Sequence, residues 1–396
     1  EGYFVDTAAS GAVTMTLPSS PSAGNIVAVK DYNGNFATAN LTIGRNGSPI
    51  NGGSTADPII DTNGASIVLV YVDATQGWVA TQDDSSAIVG EDFITATGGT
   101  ETTCGNDKIH TFTGPGTFTV SAISSSAANN VVSYVIVGGA GGGGGGAAGV
   151  ACGGAGGGGA GGYREVKSPV TPYTASPLDG YPSAPNRVTV TATAFPITVG
   201  AGGAGGAQTA CGSFGATSTF STITAARGGY GGAGVASGGN QKGGGDGGSG
   251  GGGGGAHGTP PGVGSGGTGN TPPVSPAQGT NGGTAPVGCR AGGSGGGATA
   301  AGGGGNVAGG AGATSSINGT PTARGGGGGN GRGAGTGSVG GAGGGGNGNQ
   351  ACAANATPGT DNTGGGGGGA GDDDSSPSKT GGNGGSGIVI IRYKFQ

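Results

Sequence analysis

Two histidines, five cysteines and two short aspartate runs are the side chains in this sequence with chemistry beyond simple hydrogen bonding. His110 and His257 share no local motif with each other or with a carboxylate, and a lone loop histidine reads as a loop residue before a metal ligand. Cys104, Cys152, Cys211, Cys289 and Cys352 nowhere form C-x-x-C, which argues against zinc and thioredoxin-type redox chemistry. Cys152–Cys211 and Cys289–Cys352 are conceivable disulfides that would brace loops without a core; free thiols are the alternative, and the odd count leaves one over. Asp372, Asp373 and Asp374 offer carboxylates to a cation, yet without EF-hand spacing a solvated acidic loop is the favoured reading. Asp83 and Asp84 are the other acidic pair, and glycoside hydrolysis needs two placed carboxylates, which adjacency on a loop does not supply. "KGGGDGGSGGGGGG" lacks the G-x-x-x-x-G-K-[ST] pattern after a strand that would cradle phosphate. The residues therefore predict no enzyme and no cofactor.

Binding is the remaining chemistry. "YREVKSPVTPYTASPLDGYPSAPNR" (163–187) sets Tyr163, Tyr173 and Tyr181 among five prolines. Proline stiffens a loop that has no core, and tyrosine carries an apolar ring with a polar tip. These tyrosines are candidates for contact with a receptor or glycan, packing on a neighbouring subunit being the favoured alternative. His257, in the paired-proline segment 256–279, and Asn355, Asp361 and Asn362, in the polar segment 349–363, complete the contact candidates.

The elements that must hold such loops are unusual. Of 396 residues, 111 are glycine, only 8% are charged and 32% are hydrophobic. Disorder driven by high charge does not fit. A net charge of −5 with 14 Lys and Arg gives no basic patch, which argues against nucleic acid. No apolar run approaches the roughly 18 residues of a membrane span. With Glu1 first and no signal-peptide pattern after it, the chain reads as a mature or partial product. Residues 1–82 read as a β-module: "AVTMTLP" alternates Val13, Met15 and Leu17 with threonines, and "NIVAVKDY", "NLTIG", "SIVLVYV" and "GWVATQ" follow between turn residues. "SIVLVYV" is apolar on both faces and is expected to be a central or intersubunit strand. So small a module is a candidate for oligomerisation. Residues 83–108 read as a linker, and 109–396 as a glycine-rich domain.

Only 16 of the glycines fall within residues 1–137. Beyond them, apolar islands interrupt the glycine: "SYVIVGG", "RVTVTATAFPITVGAGG", "STFSTITAARGG" and the terminal "GIVIIRYKF". A flexible spacer has no use for such strands, so they are expected to pair into a frame from which glycine runs extend and return. Collagen is excluded, because the residues other than glycine after Gly139 have no period of three. Polyproline-II-type helices of glycine remain, and these become ordered only when several pack side by side. At least six tracts of four or more glycines (141–146, 156–159, 250–255, 302–305, 325–329 and 364–369) favour a bundle over a single spacer.

In order, "FTGPGTFTVS", "VVSYVIVGGAGGGGGG", "FPITVGAGGAGG", "STFSTITAARGGYGG" and "GGNGGSGIVIIRY" resemble the glycine-rich domains of bacteriophage tail-fibre and tail-tip adhesins, over roughly residues 108–396. Residues 1–82 resemble a β-module in fibre proteins of marine phages, especially those of cyanobacteria. The resemblance implies an all-β fold with almost no α-helix, packed polyglycine II helices, and variable loops at an exposed end that touch a bacterial surface receptor, polysaccharide or outer-membrane protein. It also implies other virion tail proteins as partners, a homotrimer and a place in the virion tail. The long proline-rich insertions depart from the family pattern. A structural filament subunit and a polyglycine II ice-binding protein are the alternatives; the irregular tracts speak against the latter.

Overall fold

The computed structural model describes every residue except 10, 54–55, 84–92, 148–152, 237–241, 257–263, 288–289, 334, 350–354 and 372–378. The described residues are nearly all strand and extended chain, with two 3-10 turns, Ala127–Asn130 and Ala184–Asn186, as their only helical elements. They divide into two compact units.

The first unit comprises residues 1–95 with 122–130 and 394–396. In its four-stranded sheet Ile26–Asp31 lies between Gly2–Val5 (parallel) and Ser66–Asp73 (antiparallel), and Gly77–Asp83 closes the far edge. The "SIVLVYV" strand is thus central, as its two apolar faces predict. A smaller sheet pairs Val13–Thr16 with Leu41–Gly44 in parallel, and Leu41–Gly44 with Ile59–Ile60. Leu17, Phe36, Leu41, Ile43, Ile67, Leu69 and Trp78 form the core. The turn at 73–77 is set by Asp73, whose carboxylate accepts from the N–H groups of Thr75 and Gln76. Gly77 ends that turn at φ +67°, and a Cβ there would lie 1.8 Å from the Pro49 carbonyl oxygen.

The second unit comprises residues 96–121 and 131–393. Thr100–Cys104 and Asp107–Phe112 are paired strands within it, and Thr95–Thr97 joins another sheet. Residues 95–108 are therefore framework and not the linker their small, polar composition suggests. Cross-strand pairing, invisible to composition, orders them. The frame centres on Val131–Val137, which pairs antiparallel with Tyr163–Val166 on one side and Ile388–Lys394 on the other, Val137 opposite Ile388. Val132 through Val137 are all buried, because both faces are covered. One face meets a ring cluster in which Tyr134, Phe118 and Phe195 surround Phe220 at centroid distances of 5.9–6.2 Å. The other packs with Ile109, Tyr163, Ile317 and Ile390.

From this frame the glycine tracts run as rods with a three-residue repeat. The N–H groups of residues 138, 141 and 144 donate to carbonyls 162, 159 and 156; those of 139, 142 and 145 to 216, 213 and 210; those of 140, 143 and 146 to 385, 382 and 379. In return, the carbonyls of 139, 142 and 145 accept from 228, 231 and 234, those of 140, 143 and 146 from 203, 206 and 209, and those of 141 and 144 from 367 and 370. Partners that fall by three run antiparallel to the central rod, and partners that rise by three run parallel. The 138–146 rod thus has six neighbours, the hexagonal packing of polyglycine II. The 153–162 rod is surrounded in the same way, by 138–144, 226–235, 249–255, 290–296, 328–331 and 364–370. A Cβ added at any glycine of 138–146 would sit 1.8–2.3 Å from a neighbour's carbonyl oxygen. The absent side chain is what lets these backbones bond laterally. Ala140, Ala155 and Ala160 are wholly buried in the same rods, so the lattice admits a methyl only at particular positions.

Candidate functional site

The rods have two distinct ends. Tracts 138–146 and 153–162 adjoin the strands Val131–Val137 and Tyr163–Val166, which fixes the frame end. At the opposite end Gly146 bonds Lys379, Gly153 bonds Val235, Gly154 bonds Arg290, Gly254 bonds Lys242 and Arg332 bonds Asn349. The described residues bordering segments 148–152, 237–241, 257–263, 288–289, 350–354 and 372–378 therefore gather at this far end, beside a turn in which Ala210 bonds Ala207.

The contact candidates divide between structural roles and separate places. Tyr163 is 1% exposed, opposite Val137 in the frame, and its hydroxyl donates to Glu165 at 2.9 Å. Burial, followed by the charge of Glu165, pushes its pKa well above the ordinary value. The ring is packed inside the frame, where its place in the apolar strand pairing outweighs its position in a proline-rich segment. Tyr173 is half-buried, donates to the Val166 carbonyl and lies 5.3 Å from the Arg392 guanidinium. Tyr181 is half-buried beneath Arg187 at 4.3 Å. The 163–187 insertion is pinned to its own unit at the frame end, with Asp179 accepting from the Lys167 N–H and Asn186 holding the Ser275 carbonyl. Asn355 is exposed. Asp361 and Asn362 form a turn elsewhere, held by Ser386, with Asn362 at φ +61°. Asp361 also borders a groove of about 530 Å³ with Pro358, Asn383 and Ser386. His257, Cys152, Cys289, Cys352 and Asp372–Asp374 lie outside the described residues. Cys211 and Cys104 are free, half-buried thiols.

One further groove, of about 620 Å³, is lined by Phe214, Thr217, Arg227, Tyr230, Gly245, Asp246 and Thr271. Three adjacent rods build it. Residues 212 and 215 bond 231 and 228, and residues 245 and 248 bond 230 and 227, so 210–216 and 243–248 flank 227–232 on either side. Arg227 and Tyr230 are one three-residue repeat apart and project from the same side of their rod. The Phe214 and Tyr230 rings meet edge to face at 4.7 Å, and the Arg227 guanidinium stacks on Phe214 at 3.8 Å. A Cβ at Gly245 would press both rings, at 2.7 and 2.9 Å, so glycine there seats the aromatic pair. Asp246 anchors the loop by accepting from the Thr268 N–H at 2.5 Å. Sequence reading passes over these residues because they sit singly among glycines. The three-residue spacing of "ARGGYGG" is the signal that finds them once the segment is known to be a rod.

Fold and surface together define a scaffold of packed polyglycine rods framed by β-strands, with no α-helix among the described residues. The chain belongs to the glycine-rich domain family, whose model matches residues 111–394. Comparison with curated proteins finds no match.

Proposed function

We propose that this chain is a bacteriophage tail-fibre or tail-tip protein that recognises a receptor on the bacterial surface without catalysing a reaction. The observation that supports this most is the polarity of the rod bundle. Strands close one end, while the described residues that border segments 148–152, 237–241, 257–263, 288–289, 350–354 and 372–378 gather at the other, and loops are where a rigid scaffold tolerates variation. The strand and glycine strings shared with tail-tip adhesins carry the phage assignment. Among the described residues no group of three or more His, Cys, Asp or Glu is placed to hold a metal ion.

The first unit supports assembly. Its edge strand Gly2–Val5 presents Phe4 at 76% exposed beside Tyr32 at 66%, with the rings 6.4 Å apart. An exposed apolar patch on an edge strand suits pairing with another copy or with a neighbouring tail protein. A homotrimer would present several far ends together and strengthen individually weak contacts.

The test is capture of candidate host cells by the immobilised full chain. Replacing segments 257–263 and 372–378 with glycine–serine sequences of equal length is expected to abolish capture while leaving thermal unfolding unchanged. Failure to capture any bacterium across a broad panel would assign the chain a structural role instead.

A further inference from the structure

We propose that the groove between the 210–216, 227–232 and 243–248 rods binds a neutral pyranose unit of a surface glycan. This site lies on the flank of the bundle and is separate from the far end, so it goes beyond the receptor reading above.

Three features of the groove define its ligand. First, Phe214 and Tyr230 are both half-buried, and each leaves part of its ring in the groove. The C–H face of a pyranose carries slight positive charge and packs against the negative face of an aromatic ring. Second, the Arg227 side chain is exposed and makes no ion pair or hydrogen bond among the described residues, although stacking on Phe214 holds it in place. Its five N–H donors are therefore presented in a fixed orientation. Third, Asp246 uses one carboxylate oxygen on the Thr268 N–H, and it forms no ion pair with Arg227. Among the described residues the second oxygen has no partner and is left to accept.

A donor fork and an acceptor on the walls of an aromatic-lined groove match neighbouring sugar hydroxyls, each of which both gives and takes a hydrogen bond. Charge selects among sugars. Asp246 offsets Arg227 within the same groove, so a uronic acid or phosphate gains at one wall and is repelled at the other. A neutral ring meets no such conflict.

The full chain is titrated with the methyl glycosides of glucose, galactose and mannose, followed by saturation-transfer NMR and calorimetry. At least one is expected to bind saturably in the millimolar range, as suits a ligand of this size. Arg227→Ala and Asp246→Asn should each weaken it by about tenfold. Asp361→Asn, in the other groove, should leave it unchanged. Both groove side chains are exposed, and unchanged thermal unfolding of each variant confirms the fold. Absence of saturable binding by all three glycosides would overturn the proposal. So would affinity indifferent to both groove substitutions, or tighter binding of glucuronate or inorganic phosphate. Cell capture without glycoside binding would sink this site alone; glycoside binding without cell capture would sink the receptor reading alone.

Discussion

Asp107 and Arg392 face each other in the frame of the second unit, both almost wholly buried. Arg392 reaches the carboxylate through Nε at 2.7 Å and Nη2 at 2.6 Å, and donates further to the carbonyls of Ile317 and Pro172. One side chain thereby ties the last strand to three separate segments. Asp107→Ala would leave a guanidinium buried without its counter-charge, and chemical denaturation should show a loss of about 3–5 kcal/mol. Titration at the residue scale concerns His110 and Asp31. His110 bridges the Gly98 carbonyl at 2.7 Å and the Tyr393 hydroxyl at 3.1 Å; burial lowers its pKa, against the opposing influence of Gly98 and Glu101. A histidine held neutral contributes stability that is complete above about 6.5 and declines as pH falls below it. For Asp31 burial acts to raise the pKa, but backbone donors including Gly64, Phe36 and Gly34 prevail and lower it. Its contribution is complete above about 3.9 and is lost as pH falls further, through the lowered folded value. Denaturant midpoints followed separately in the two units should therefore decline at different pH. The second unit weakens first, below about 6.5, and His110→Gln should flatten that slope.

At the scale of elements, a rod is specified by the absence of side chains, and the lattice should report each one restored. Gly144 and Gly243 form a controlled pair. A Cβ at Gly144 would lie 2.1 Å from the Gly232 carbonyl oxygen, whereas at Gly243 the nearest atom is the Ser265 oxygen at 3.5 Å. Gly144→Ala should cost the second unit about 3 kcal/mol, the upper end of overpacking penalties. Gly243→Ala should stay within about 0.5 kcal/mol of the parent, with thermal unfolding as the measure of both. Strands were legible because alternation and apolar runs survive in sequence: "SYVIV" and "GIVIIRY" do pair, residue for residue. The strands at 95–104 were not legible, since "TATGGTETTC" has no apolar period and gains its order only from its partners. The same physics hid the groove. A period-three face needs only one side chain in three, and "ARGGYGG" shows just two such residues before the pattern ends. The burial of Tyr163 was hidden for the converse reason, because it depends on a strand partner more than 20 residues away in sequence.

At the scale of the whole molecule, two units of different construction share one chain. The first relies on an ordinary apolar core around Leu41, Ile43, Leu69 and Trp78, and it leaves Phe4 and Tyr32 uncovered. If that surface joins copies of the chain, sedimentation should give the mass of three chains, and Phe4→Asp should shift the population toward one. The second unit relies on backbone hydrogen bonds between rods, so its order does not depend on an apolar side-chain core along the tracts. The receptor reading and the flank site both require that order. Amide hydrogen exchange on glycine-labelled protein measures it most directly. Gly141 through Gly145 are predicted to exchange as slowly as Val132 through Val137 in the adjoining strand, since each N–H is bonded inside the bundle. Exchange of those glycines at the rate of an unstructured chain would contradict the packed-rod scaffold and remove the basis for both binding surfaces.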